Sequence, residues 1–141
     1  MIGLRKPLKK SSAGRSATAV LVVEDEGALR DLLMTLLHDS GLTALAASDG
    51  MEALKLYEQE QTGIGLVLAD LHMPKMDGRQ LLLALKRIDP GVRVIIASGI
   101  VDSHTRGELL CAGAIAVLEK PLKPGELLAE IRRVLNLSTS T

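Results

Sequence analysis

A three-layer α/β domain, a five-stranded parallel sheet with helices on both faces, follows from three features of the 141-residue sequence. Five short apolar, β-branched runs alternate with five stretches whose leucines recur at helical spacing, and a strand-then-helix alternation is the pattern of parallel strands joined by right-handed crossovers. The runs are continuous rather than alternating, as in strands covered on both sides. Turn clusters such as Ser48-Asp49-Gly50 and Asp89-Pro90-Gly91 separate the elements. The units share no residue-level repeat, which sets a solenoid aside.

Residues 1 to 17 come first, with Arg5, Lys6, Lys9, Lys10 and Arg15 but no apolar period, and read as a disordered basic arm. The domain is placed at residues 18 to 137, followed by a tail at 138 to 141. So little chain after the last helix argues against an attached output domain. Residues 19–23 are a buried strand ending in Glu24-Asp25-Glu26. Leu29, Leu32, Leu33, Leu36 and Leu37 line one face of a first helix, about 27 to 39, with Gly41 as its stop. Residues 43–47 are a weaker strand. A second helix, to about residue 61, turns Ala53, Leu54 and Tyr57 inward.

The third strand, 66–70, is Leu-Val-Leu-Ala-Asp, an apolar run that stops at an acid. Pro74 cannot extend a central strand and Asp77-Gly78 reads as a turn, so Asp70 sits at the strand's carboxyl end, where open α/β sheets bind ligands. Leu81, Leu82, Leu85 and Ile88 mark a third helix, and residues 92–97 a fourth strand ending in Ser98-Gly99. The fourth helix, 103–112, is the weakest, because Gly107 interrupts it and only Leu109, Leu110 and Cys111 are apolar. A fifth strand, 115–118, leads to Glu119-Lys120-Pro121, and Leu127, Leu128, Ile131, Val134 and Leu135 define the last helix.

Composition narrows the function. Apolar residues are 47% of the chain but aromatics only 1%, the single Tyr57, so the core is aliphatic and no stacking platform for single-stranded nucleic acid exists. The net charge of zero divides unevenly: the arm holds five of the 17 basic residues and no acid, leaving 12 basic against 17 acidic residues, a net of −5. An acidic domain with no helix-turn-helix segment after residue 137 does not suit DNA. One cysteine, Cys111, excludes an internal disulfide and a cysteine zinc site, fits a reducing, cytoplasmic setting, and reads as a small buried hydrophobe. No apolar run approaches membrane-spanning length. His38 and His104 lack cluster partners and read as surface residues, and the leucine-rich helix faces as core.

Parallel strands would gather Glu24, Asp25, Asp70, Ser98 and Lys120 at one sheet edge. Three carboxylates held close repel one another unless a cation compensates, and hard oxygen ligands suit Mg²⁺. With Mg²⁺, a lysine and a hydroxyl to hold three phosphoryl oxygens, a carboxylate becomes a natural acceptor, and Asp70 would form an aspartyl phosphate.

Val22-Val23-Glu24-Asp25-Glu26, Asp70-Leu71-His72-Met73-Pro74-Lys75-Met76-Asp77-Gly78, Ala97-Ser98-Gly99 and Lys120-Pro121 together resemble the receiver domain of two-component response regulators, over about residues 19 to 137. The resemblance implies a flavodoxin-like (CheY-like) sheet of order 2-1-3-4-5. It implies that Asp70 is the phosphoacceptor, that Glu24, Asp25, Asp70 and the backbone carbonyl of His72 ligate Mg²⁺, that Ser98 is the switch hydroxyl, and that Lys120 pairs with phosphate. The His72 imidazole is expected in solvent. A cis bond before Pro121 is implied too.

The implied donor is a histidine kinase or histidine phosphotransfer protein. The implied output is a changed affinity for a protein partner through the face of the fourth helix, fifth strand and fifth helix, by a monomer or a phosphorylation-dependent dimer. Such a domain catalyses only its own phosphorylation and dephosphorylation.

Two departures stand out. Val117 occupies the place where many receivers carry a Tyr or Phe that reports on phosphorylation, and Glu24 replaces the commoner Asp. Pro90-Gly91-Val92-Arg93-Val94 and Leu118-Glu119-Lys120-Pro121-Leu122 resemble receivers of hybrid sensor kinases, so a receiver severed from such a kinase is an alternative. A haloacid-dehalogenase-type phosphatase also uses a strand-end Asp, but it wants an acid two residues on, where this chain has His72. A receiver that signals without phosphate typically lacks one of the acids or the lysine, and all are present here.

Overall fold

The apolar runs form five strands, β1 (Ala19–Val23), β2 (Ala44–Ala47), β3 (Ile64–Asp70), β4 (Val94–Ser98) and β5 (Ala116–Glu119). All pair in parallel in one sheet of order β2-β1-β3-β4-β5. Between them run α1 (Gly27–Asp39), α2 (Gly50–Glu60), α3 (Gly78–Ile88), α4 (Ser103–Cys111) and α5 (Pro124–Leu135). The structure is a computed structural model that describes residues 17–137; the rest of the basic arm and the tail at 138–141 lie outside the described residues.

Because side chains alternate across a strand, β1, β3 and β4 feed two cores at once. On one face Val20, Val22, Leu66, Leu68 and Ile95 pack against Leu33 and Leu37 of α1 and Leu127 and Ile131 of α5. On the other, Leu21, Val23, Val67, Ala69 and Ile96 meet Tyr57 of α2, Leu81, Leu82 and Leu85 of α3, and Leu109 of α4. The expected three-layer α/β architecture and strand order are therefore present, with α1 and α5 covering one face and α2, α3 and α4 the other. Among the described residues, no helix is long and apolar enough to cross a membrane.

Several local readings need correction. Asp77-Gly78 is not the turn after β3: Asp77 is the N-cap of α3, accepting from the Gln80 N–H at 2.8 Å while the Gln80 side chain accepts from the Asp77 N–H at 2.9 Å. The chain bends earlier, where Lys75 takes a left-handed φ of 69°. Cys111 is exposed, because Leu109, Leu110 and Cys111 are consecutive helical positions about 100° apart and only Leu109 can face the sheet. Gly107 does not break α4, which runs through it. Leu32, counted in the α1 stripe, stands 64% exposed. Ile115 precedes β5 and is exposed.

The only aromatic residue ties two helices together. Tyr57 is buried beneath α2, and its hydroxyl donates to Asp89 Oδ2, at the carboxyl end of α3, over 2.6 Å. Burial pushes the phenol well above its ordinary pKa of 10, and the bond to Asp89 and its negative charge add to the rise. A raised pKa means that the fold favours the protonated form, so this contribution is complete below about pH 10 and is lost as pH climbs beyond it. Tyr57→Phe is expected to lower the unfolding free energy by about 1.5 kcal/mol in urea titrations at pH 7. The gap between wild type and variant should narrow above about pH 10; equal stability at pH 7 would contradict the tie.

Candidate functional site

The register of the sheet brings the strand ends together. Val23 of β1 lies beside Ala69 of β3, so the next residues, Glu24 and Asp70, are neighbours. Asp70 pairs with Ala97 of β4, and Ser98 pairs with Glu119 of β5, one residue before Lys120. The Lys120 N–H donates to the Ser98 carbonyl at 2.8 Å, which extends the ladder past the end of β5. The peptide bond between Lys120 and Pro121 is cis.

Glu24, Asp25 and Asp70 each offer a carboxylate oxygen, and these oxygens lie within 4.8 Å of one another. Glu24 and Asp70 are buried and Asp25 is exposed, so the cluster opens to solvent on one side. Lys120 is the cation of the group: its Nζ lies 3.1 Å from Asp70 Oδ1 and 3.4 Å from Glu24 Oε1. Burial works against the ammonium, but the hydrogen bond and charge of Asp70, then those of Glu24, outweigh it and hold its pKa above the ordinary lysine value.

Burial likewise pushes the Glu24 carboxyl up. The Glu26 N–H, donating to Glu24 Oε2 at 3.2 Å, pulls it down, the Asp70 charge raises it and Lys120 lowers it again, with a net rise. One lysine against three close carboxylates leaves negative charge in excess, and the donors are all hard oxygens. This set fits a divalent cation such as Mg²⁺.

Two supports escaped the sequence reading. Arg30, on the first turns of α1, donates from Nη1 to the Glu24 backbone carbonyl at 2.9 Å and so fixes the start of the acidic loop. Its signal was positional only, a basic residue six places after Glu24. Gly78 is the second: a Cβ there would lie 2.6 Å from the Asp70 carbonyl oxygen and 2.8 Å from Leu71 Cα. Only glycine lets α3 start against the end of β3, which is why an Asp-Gly pair stands at this helix start.

Ser98 is fully buried, and its hydroxyl is engaged within its own loop, donating to the Ile100 carbonyl at 3.1 Å and accepting from the Ile100 N–H at 3.3 Å. The His72 side chain is exposed beside the site. Val117 is buried in β5. His38 is exposed, and His104, also exposed, lies 3.3 Å from Glu108 one turn along α4.

Residues 20–132 match the family model of the response regulator receiver domain. The chain belongs to that family. The receiver is 39% identical over 116 residues, 82% of its length, to a probable transcriptional regulator, ycf27, of Guillardia theta, of which it spans 44%. It is 30% identical to sporulation initiation phosphotransferase F of Bacillus subtilis, covering 86% of this chain and 96% of that protein. Among solved structures it resembles the CheX-CheY-BeF3-Mg²⁺ complex of Borrelia burgdorferi with a TM-score of 0.79 and 30% identity, over 83% of this chain and 88% of that one. The receiver thus spans less than half the length of the ycf27 regulator. Family membership makes it a signalling domain of two-component systems and sets the phosphatase reading aside.

The raised Glu24 pKa has a consequence for stability. A carboxyl whose folded pKa exceeds its unfolded value supports the fold while protonated, and that support is lost as pH rises through and above the ordinary 4.5. At pH 7 with a chelator present, Glu24→Gln should therefore raise the unfolding free energy, read from urea titrations. The gain should disappear well below pH 4.5. Loss of stability at pH 7 would mean that Glu24 supports the metal-free fold.

Proposed function

We propose that Asp70 accepts a phosphoryl group from a phosphohistidine, with Mg²⁺ held by Glu24, Asp25, Asp70 and the backbone carbonyl of His72. The observation that carries this reading is the Lys120 ammonium resting on Asp70 Oδ1 at 3.1 Å inside a cluster with two further carboxylates. When bound, Mg²⁺ supplies positive charge that offsets the carboxylates and draws phosphoryl oxygens to the site. Asp70, at the carboxyl end of a wholly buried strand, presents a carboxylate oxygen in a fixed position to incoming phosphorus. The new bond runs from that oxygen to phosphorus as the bond from phosphorus to the donor imidazole nitrogen breaks, and the released imidazole keeps the electron pair. Lys120 then turns its positive charge to a phosphoryl oxygen. Ser98, by exchanging the bond it donates to the Ile100 carbonyl for one to the phosphoryl group, would report the event to the loop before α4.

Incubation with acetyl phosphate and Mg²⁺ should add the mass of one phosphoryl group. Asp70→Asn should gain none, and Lys120→Ala should be phosphorylated at least about tenfold more slowly. Phosphoryl gain that survives Asp70→Asn would place the acceptor elsewhere.

The phosphohistidine donor has an apolar place to dock beside the site. A cavity of about 560 Å³ between α1 and the loop after β5 is lined by Leu29, Leu32, Leu33, Leu36, Pro121 and Leu122. Leu32 stands 64% exposed at its edge. Leu32→Asp should slow transfer from a phosphorylated histidine kinase by about tenfold or more while leaving phosphorylation by acetyl phosphate unchanged. A parallel loss with both donors would point to damage at Asp70 rather than to docking.

A further inference from the structure

We propose that Arg106 is a latch that holds α4 against β5 in the unphosphorylated receiver, and that its release carries the signal from Asp70 to the α4, β5 and α5 face. The inference rests on the phosphoacceptor reading above. Arg106 Nη1 donates to the Val117 backbone carbonyl at 2.7 Å, in a partly buried setting. That carbonyl belongs to the β5 residue whose side chain is aromatic in many receivers and is a small, buried valine here. The chain thus lacks the ring and has a charged hydrogen bond to the same residue.

Arg106 acts on the most weakly seated helix of the fold. Only Leu109 of α4 is buried, and the N-cap bond, from the Thr105 N–H to Asp102 Oδ1 at 2.7 Å, is local to the helix and ties it to nothing else. Residue 107 is a glycine that adds no side-chain contact. A hydrogen bond with a charged donor is a large share of what holds such a helix in place.

The two ends of this bond differ in freedom. Val117 is fixed, because β5 pairs with β4 from Ala116 to Glu119 and the Lys120 N–H continues the ladder to Ser98. Arg106 is not, because α4 is joined to β4 through residues 99–102, and that loop is held at Ile100 by both bonds of the Ser98 hydroxyl. When the hydroxyl turns to a phosphoryl oxygen, the Ile100 carbonyl loses its donor and the loop is held there by one bond fewer. Movement then falls between α4 and β5, and a shift of about 1 Å is enough to take the guanidinium out of hydrogen-bond range of the carbonyl. The Val117 carbonyl and the arginine are then free at the α4 and β5 face, where a partner can use them.

Hydrogen exchange of residues 103–111, read by mass spectrometry on the full chain with and without acetyl phosphate and Mg²⁺, tests the latch. In wild type, phosphorylation should speed exchange of this segment about tenfold, the loss expected from one hydrogen bond with a charged donor. Unphosphorylated Arg106→Ala should already exchange at that faster rate, and phosphorylation should add nothing further. Arg106→Met, which keeps the apolar stem, carries the same expectation if the alanine variant does not fold.

Two results would overturn the proposal. One is an unchanged rate in the unphosphorylated variant. The other is a rise in both states that preserves their difference, which marks a merely structural arginine. If wild type gains no phosphoryl mass, the acceptor reading fails and the relay with it, whereas the unphosphorylated comparison alone still decides whether Arg106 holds α4.

Discussion

The contact on which the site depends is the Lys120 ammonium lodged between Asp70 and Glu24. Without it the sheet edge would hold two buried carboxylates and one exposed carboxylate with no counterion within bonding distance among the described groups. An ion pair with buried carboxylates and a half-buried lysine is a weak source of net stability, because desolvation offsets much of the attraction. Its value lies in placement. The bond from the Lys120 N–H to the Ser98 carbonyl fixes the residue's backbone, and from there the side chain extends to Asp70. The raised pKa of Glu24 and the raised pKa of Lys120 are two views of one arrangement, an acid that gains too little from its surroundings and a base that gains enough.

The parallel sheet was legible because its physics is local. A strand buried on both faces must be apolar throughout, and a carboxylate can appear only where it ends, so Asp70 and the Glu24-Asp25 pair announced both the strands and their carboxyl ends. What could not be read were contacts that depend on the tertiary distance between elements. Asp77-Gly78 has the composition of a turn, yet here Asp77 caps a helix and Gly78 permits that helix to touch β3, and nothing within the dipeptide tells these apart. Cys111 and Leu110 were apolar residues in a helix with too few of them, and periodicity cannot choose an inward face from three adjacent positions. Arg30 and Arg106 bond to backbone carbonyls, a kind of partner that leaves no mark in the sequence.

The Ser98 hydroxyl shows how a residue of the candidate site can also serve the scaffold. Its position at the end of β4 was fixed by the strand, but its bonds run along its own loop to Ile100. A hydroxyl can rotate between acceptors at little cost, since its donor and lone pairs are carried on one rotatable bond. A carboxylate or amide at this place would commit to one partner. The loop is therefore held by a contact that is easy to exchange, next to a strand pairing that is not.

That contrast in stiffness extends through the molecule. The strands and α3 carry wholly buried leucines, valines and isoleucines, and Leu81, Leu82 and Leu85 alone give α3 three fully covered anchors. α4 has one, Leu109. Large rearrangement of the sheet would uncover aliphatic surface at about 25 cal/mol per Å², whereas displacing α4 exposes a single leucine and parts a few polar contacts. Under the proposed function, a phosphoryl group on Asp70 would bring a local change in charge, and a change of that size can move only an element whose attachment is comparably weak. The poor amphipathicity that makes α4 the least convincing helix in the sequence is then the property that would suit it to the proposed relay, and with valine at 117 the side-chain bond from α4 to that residue runs to its backbone carbonyl.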